Sequence, residues 1–205
     1  MVEEKAPAAV PTPPTAASLR EAALAHLARF ATTRRNLEQV LSRRVRRWGL
    51  RAQKAGMAPE EIRQVEGVLL GEIPEIAAGM EALGAVDDAQ FARSRARSLT
   101  RSGRSRRAVT AHLVVKGVDG ETAQEALEAS LGAGEEAQQA ELAAALVLAR
   151  KRGFGAFRRP DRPERDPMKV LAVFARNGFS QGTAAQALAM ERDEAEDLIL
   201  RFRSA

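Results

Sequence analysis

The sequence predicts an all-α protein assembled from three-helix units. Three observations carry that expectation. Hydrophobic residues make up 45% of the 205-residue chain while aromatics make up only 4%, so a core must be built from Ala, Leu and Val. Ala is the best helix former, and β-branched residues are sparse. Apolar positions recur every three or four residues between glycine stops and capping residues. A glycine–apolar–cap signature also returns along the chain, the mark of a repeated unit.

The elements follow in order. Met1 to Ala17 carries Pro7, Pro11, Pro13, Pro14 and Thr15 and lacks the basic and apolar regions of a secretory signal, so residues 1–17 are expected to be a disordered tail. Ser18 is a plausible N-cap for a helix carrying Leu19, Ala23 and Leu27. After a break at Ala31–Thr33, Thr33 can cap a second helix with Leu37, Val40, Leu41 and Val45. Arg46–Met57, with Gly49, Gly56 and Trp48, is expected to be an irregular basic insertion. Pro59 suits the first turn of a third helix with Ile62, Val65, Leu69 and Ile73, which Pro74 should kink or end.

Gly84 to Phe91 reads as a turn into a helix, with Asp87 as N-cap, Gln90 at the capping-box spacing, and Val86 placed to staple against Phe91. That helix carries Phe91, Ala92, Ala96 and Leu99 and ends at Ser102-Gly103. Ser105 starts the next, with Val109, His112 and Leu113. Gly117 stops it, and Asp119 caps another with Ala123, Ala126 and Leu127. The last third holds a helix near Glu135–Arg152, a basic Pro-containing loop at Gly153–Pro167, and a helix with Val170, Leu171 and Phe174. A stop at Gly178, a cap at Ser180 and one final helix to about Phe202 complete it.

Lys116–Leu127 aligns with Asn177–Leu188 at an offset of 61, matching Gly117 with Gly178 and cap Asp119 with cap Ser180. Val109 and Leu113 align with Val170 and Phe174 at the same offset, and Leu37 and Leu41 with Val109 and Leu113 at an offset of 72. The expected units are residues 18–82 with the insertion, 83–132 and 133–205. One such unit is too small to bury much surface, so neighbours should stack in an elongated, curved array.

Charge is blocked. Residues 91–116 hold eight basic residues and no acid: Arg93, Arg95, Arg97, Arg101, Arg104, Arg106, Arg107 and Lys116. Residues 29–54 hold nine basic residues, among them Arg34, Arg35, Arg43, Arg44, Arg46 and Arg47, against Glu38. Residues 119–141 hold seven acids and no base. Arg93, Arg97 and Arg101 stand four apart and form a stripe on one helix face. With net charge +5, this favours an anionic partner whose backbone is tracked rather than read; a solvated surface is the alternative. Arg150, Lys151 and Arg152, with Arg158 and Arg159, form a weaker third set.

Catalytic signatures are missing. No cysteine is present, and His26 and His112 lack ligand-spaced partners, so neither a metal nor a cofactor is expected. No phosphate-binding loop motif occurs. Asp87-Asp88 is better explained by capping than by paired-carboxylate chemistry. No apolar run approaches membrane-spanning length, so a cytoplasmic, non-membrane protein is expected. Trp48 is expected to be a partly buried anchor.

Leu83–Ala92, then Gly103–Arg107, then Leu113–Val118 resembles the central repeat of the RecX family. Its members carry a Gly-aromatic-apolar-Asp-Asp-x-x-Phe-Ala run followed by Leu-x-x-Lys-Gly-apolar. Arg176–Ser180 is similar to the third repeat's Arg-x-Gly-Phe-Ser, and Arg20–Val45 to the first repeat. Ala85 replaces the usual aromatic, and Thr32-Thr33 and Asn36-Leu37 replace the usual Ser and Glu-Leu. The resemblance implies a monomeric, non-enzymatic regulator of the RecA recombinase. Such a protein binds the RecA filament on single-stranded DNA, with double-stranded DNA a second candidate, and inhibits it in recombination, DNA repair and the SOS response. The residues leave two further readings open: a general helical DNA-binding module and a helical scaffold for an acidic protein.

Overall fold

The computed structural model describes residues 9–161, 163 and 165–204. Among these the chain is all-helical, with ten α-helices, one 3-10 turn and no strand. It divides into two compact units, Met1–Asp88 and Ala89–Ala205.

The first unit is built from α1 (Ala16–Leu27), α2 (Arg34–Lys54) and α3 (Pro59–Ala82). Leu19 and Ala23 of α1, Leu37, Leu41 and Val45 of α2, and Leu69, Ile73, Ile76 and Met80 of α3 form its core together with Val86. Helix α1 starts earlier than Ser18. Thr15 is the N-cap, and Ser18 is the third helical residue of a reciprocal capping box with it. Thr15 thus starts order rather than disfavouring it, and Ala16–Ala17 of the expected tail are helical; residues 1–8 of that tail lie outside the described residues.

The basic insertion is not irregular. Helix α2 runs unbroken through it to Lys54, because Val45, Trp48, Gly49 and Ala52 are buried at helical spacing while Arg46, Arg47 and Arg51 face solvent. Trp48 is 1% exposed and packs with Ala52 and Ile62 in a small second cluster. Its indole N–H donates to the Pro11 carbonyl at 2.8 Å, which ties the preceding strap of chain to α2. A Cβ at Gly49 would run into the Glu66 carboxylate and stand 3.2 Å from Ile62, so glycine here lets α3 approach. Pro74 does not end α3. The helix forgoes one backbone hydrogen bond there, at a cost of about 3 kcal/mol in a typical interior, yet Ile73 on one side and Ile76, Ala77 and Met80 on the other are buried, and the helix continues through it.

The second unit, from Ala89 on, contains α4 (Asp88–Arg101, whose first residue closes the first unit), α5 (Arg106–Val115), α6 (Gly120–Leu131) and α7 (Gly134–Arg152). A 3-10 turn (Gly155–Phe157), α8 (Pro167–Arg176), α9 (Gln181–Ala189) and α10 (Arg192–Ser204) follow. Helix α7 is its axis: every residue from Ala143 to Ala149 is buried, as expected of a helix enclosed on all sides. Phe154, Phe157, Val170, Phe174, Phe179, Ala184, Ala187, Ala195 and Ile199 surround it. A second cluster joins α4, α5 and α6 through Ala92, Ala96, Val109, Leu113, Ala123 and Leu127. Val86 is buried in the first unit's core, and Phe91 packs against the second unit's. The expected single last helix is two, because the chain turns extended at Met190 (φ −69°, ψ 137°) before α10.

Candidate nucleic-acid interface

Helix α4 buries Ala92, Ala96 and Thr100, which leaves Arg93, Arg97 and Arg101 fully on the solvent side. Serines follow each arginine, so Ser94, Ser98 and Ser102 make a second row beside the first. Together with Gln90 and Lys151 these six residues line an open groove of about 700 Å³. The Lys151 ammonium reaches it from α7 and donates to the Ser102 carbonyl at 2.7 Å, placing a cation on the C-terminal end of α4 where the helix dipole favours it. The groove combines forked guanidinium donors with hydroxyls and contains no acid and no aromatic ring. Such a surface suits phosphate oxygens spaced along a strand and offers nothing to read a base edge or stack on one.

The remaining basic candidates separate by environment. Arg104 and Arg107 are exposed, while Arg106 and Lys116 are half-buried. Arg106 turns inward: its backbone N–H donates to the Glu141 carboxylate at 2.8 Å and its guanidinium to the Gly132 carbonyl at 3.2 Å. Burial pushes the Glu141 carboxyl up, opposed by the Arg106 N–H. In the first unit Arg34 is occupied in the same way. Its N–H donates to Asp88 at 2.8 Å and its guanidinium pairs with Glu81 at 3.0 Å and Glu38 at 3.3 Å. Burial raises the Asp88 carboxyl too. Arg35, Arg43, Arg44, Arg46 and Arg47 are exposed along α2. Arg150 and Arg152, also exposed, line a different cleft from the α4 groove. His112 sits beside the basic run with its Nε2 buried and unbonded. Burial, then the field of Arg95, Lys116 and Arg104, depresses its basicity, so it adds no charge near neutrality.

The turn residues are fully engaged. Gly117 and Gly178 take φ of 95° and 85°. The Asp119 carboxylate accepts from the Thr122 N–H at 2.8 Å, and the Ser180 hydroxyl from the Thr183 N–H at 3.0 Å. Asp87 directly precedes α4. Sequence reasoning missed Lys151's partnership with α4 and the three serines. The serines had a signal: Arg-Ser occurs at 93–94, 97–98 and 101–102, a dipeptide repeated at one helical turn.

Helix triplets closed by glycine turns, with an arginine–serine groove on one helix, define a helical-repeat protein with a polyanion-compatible face. The comparisons with known proteins specify it further. Residues 87–127 match the family model described as RecX, second three-helix domain. A "Regulatory protein RecX" from Agrobacterium fabrum (strain C58 / ATCC 33970) is 35% identical over 196 residues, covering 95% of each chain. One from Myxococcus xanthus (strain DK1622) is 34% identical over 172 residues, 83% of each. The crystal structure of RecX from Lactobacillus salivarius shares the fold, with a TM-score of 0.56 at 18% identity over 88% of this chain and 96% of that one. The chain belongs to the RecX family of regulatory proteins. No helix among the described residues is long and apolar enough to cross a membrane.

Proposed function

We propose that this protein down-regulates the RecA recombinase by binding its filament on single-stranded DNA. In this reading it restrains recombination, DNA repair and the SOS response as a cytoplasmic monomer, without chemistry on a substrate. The observation that carries the reading is the arginine–serine groove of α4, which lies inside the segment matched by the family model. A row of cations and hydroxyls at one-turn spacing can follow a phosphate backbone without regard to sequence, which a regulator of filaments on any DNA requires. The exposed arginines of α2 are a second basic surface for single-stranded or double-stranded DNA.

The test is ATP hydrolysis by the same organism's RecA on single-stranded DNA. Inhibition is expected at less than one copy per recombinase protomer. Reversing Arg93, Arg97 and Arg101 to Glu should leave helicity intact and abolish inhibition; full retained inhibition removes the groove from the mechanism. The groove itself also favours a second reading, a general DNA-binding module. Steeply salt-dependent binding to naked DNA with no effect on the recombinase would select it.

A further inference from the structure

The last turn of α7 presents successive side chains to different surroundings. Lys151 gives its ammonium to the Ser102 carbonyl at the α4 groove. Arg150 and Arg152, with Lys151 between them, border a cleft of about 970 Å³ that closes on buried Phe154, Phe157 and Val170 and whose accessible apolar lining includes Pro163, Pro167, Leu171, Ala185 and Leu188. That volume is at the upper end of ordinary ligand pockets. No acidic side chain lines the cleft among the described residues. Arg150 and Arg152 have no ion-pair partner among them either. Of the other cations at the cleft, Arg159 and Arg192 are paired with Asp161 and Glu196 at 3.0 Å each, while Arg165 has no ion-pair partner among the described residues, so unneutralised charge comes from α7 and from Arg165. The floor is preformed. Gly155 holds φ of 54° with its backbone so close to α9 that a Cβ would stand 2.9 Å from the Leu188 carbonyl oxygen.

We propose that this cleft is a docking site for an acidic peptide segment of a partner protein, one that carries aliphatic side chains among its carboxylates. Two features favour a peptide over nucleic acid. The phenyl rings of the floor are buried, at 3% exposure for Phe154 and 9% for Phe157, and the Arg165 guanidinium lies 5.4 Å from the centre of the Phe154 ring. They offer no open face for a base to stack on. The α4 groove, by contrast, has the hydroxyls and cations that phosphates need and lacks an apolar floor. The accessible apolar side chains of Pro163, Pro167, Leu171, Ala185 and Leu188, beside unpaired guanidiniums, match a chain that alternates carboxylate and aliphatic side chains. The site meets the α4 groove only at Lys151, which lines both, and does not depend on whether the partner is a recombinase.

The experiment is fluorescence anisotropy on the full chain with two labelled peptides, one alternating Glu and Leu and one alternating Glu and Ser, and with a labelled oligothymidylate. The Glu-Leu peptide should bind saturably and the Glu-Ser peptide several-fold more weakly. Arg150→Glu with Arg152→Glu should weaken the Glu-Leu peptide by about tenfold or more. Ala185→Glu, a change at an exposed α9 position lining the cleft, should act in the same direction without touching a cation. The Arg93, Arg97 and Arg101 reversal should lower oligothymidylate binding and spare the peptide. Circular dichroism confirms folding of each variant. Absence of saturable peptide binding, equal binding of the two peptides, or an unchanged Glu-Leu peptide in both cleft variants overturns the proposal. Loss of oligothymidylate in place of peptide in the cleft variants assigns the cleft to nucleic acid and overturns it as well.

Discussion

The two units solve the same packing problem with different side chains. The first uses long helices, α2 of 21 residues and α3 of 24, joined by large aliphatics and a tryptophan. Its turn glycines, Gly56 and Gly84, face open space. The second uses mostly short helices around an alanine-rich axis, and two of its turn glycines, Gly103 and Gly178, are packing surfaces. A Cβ on Gly103 would stand 3.0 Å from the Leu148 backbone nitrogen in α7, and one on Gly178 would be 3.3 Å from the Ala108 nitrogen and would collide with the Ser105 hydroxyl. That hydroxyl is already used twice, donating to the Asn177 carbonyl and accepting from the Ala108 N–H. A positive-φ glycine thus has two meanings in one chain. At Gly56 and Gly84 it only lets the chain turn; at Gly103 and Gly178 it also lets backbones touch.

The units share one device. The first helical N–H of α2 and of α5, at Arg34 and Arg106, each finds a carboxylate far along the chain, Asp88 and Glu141. At α8 the corresponding position is Pro167, which has no N–H, and Asp166 caps the next residue locally at 2.8 Å.

The contrast can be broken by mutation. The largest effect should come from Trp48→Ala, which empties the first unit's second cluster and frees Pro11; about 3–5 kcal/mol is expected from loss of a buried aromatic, read by urea unfolding followed by circular dichroism. Next, Gly103→Ala should cost about 3 kcal/mol or more, since αL strain of about 1–2 kcal/mol is joined by backbone overlap with α7. Gly56→Ala, at nearly the same φ (89° against 90°), should cost only the strain, about 1–2 kcal/mol. Equal losses would erase the distinction between turn glycines and packing glycines. Trp48 is the chain's one tryptophan, so its fluorescence follows the first unit separately.

A smaller effect concerns pH. Burial raises the folded-state Glu141 carboxyl above its ordinary value of 4.5. Its stabilising contribution is therefore complete below that value and is lost as pH rises through the raised one. Glu141→Gln should gain on the parent over that climb and then level off. A parent that instead gains stability would mean the Arg106 hydrogen bond outweighs burial. Asp119 has the opposite sign: the Thr122 side-chain and backbone hydrogen bonds hold it below 3.8, so its contribution is lost as pH falls through the depressed value. The smallest change should be Ser180→Ala, about 1 kcal/mol for an exposed cap, visible as a modest drop in urea midpoint.

Much of this was legible in residue order. The all-helical fold followed from apolar spacing, and the α4 stripe followed from Arg93, Arg97 and Arg101. The errors share a cause. Gly49 among arginines looked like a broken helix, although Val45, Trp48, Gly49 and Ala52 already kept helical spacing, because local composition was weighed above periodicity. Pro74 looked like a stop because its local cost is visible in sequence and the burial that offsets it is not. Ser18 lost the cap to Thr15 because both can cap, and the prolines before Thr15 suggested disorder until Trp48 supplied Pro11 with a donor.

The sequence by itself determined most of the helices, the caps at Thr33, Ser105, Asp119 and Ser180 and the faces the helices charge, since capping and periodicity act within a few residues and depend on side-chain type. Only the tertiary structure decided which arginines remain available. The Arg34 guanidinium is held by Glu81, 47 residues away, and the Arg106 guanidinium by the Gly132 carbonyl, 26 residues away, and Lys151 joins a groove on a helix 49 residues before it. Those pairings depend on which elements pack together, and one-dimensional spacing carries no measure of that distance.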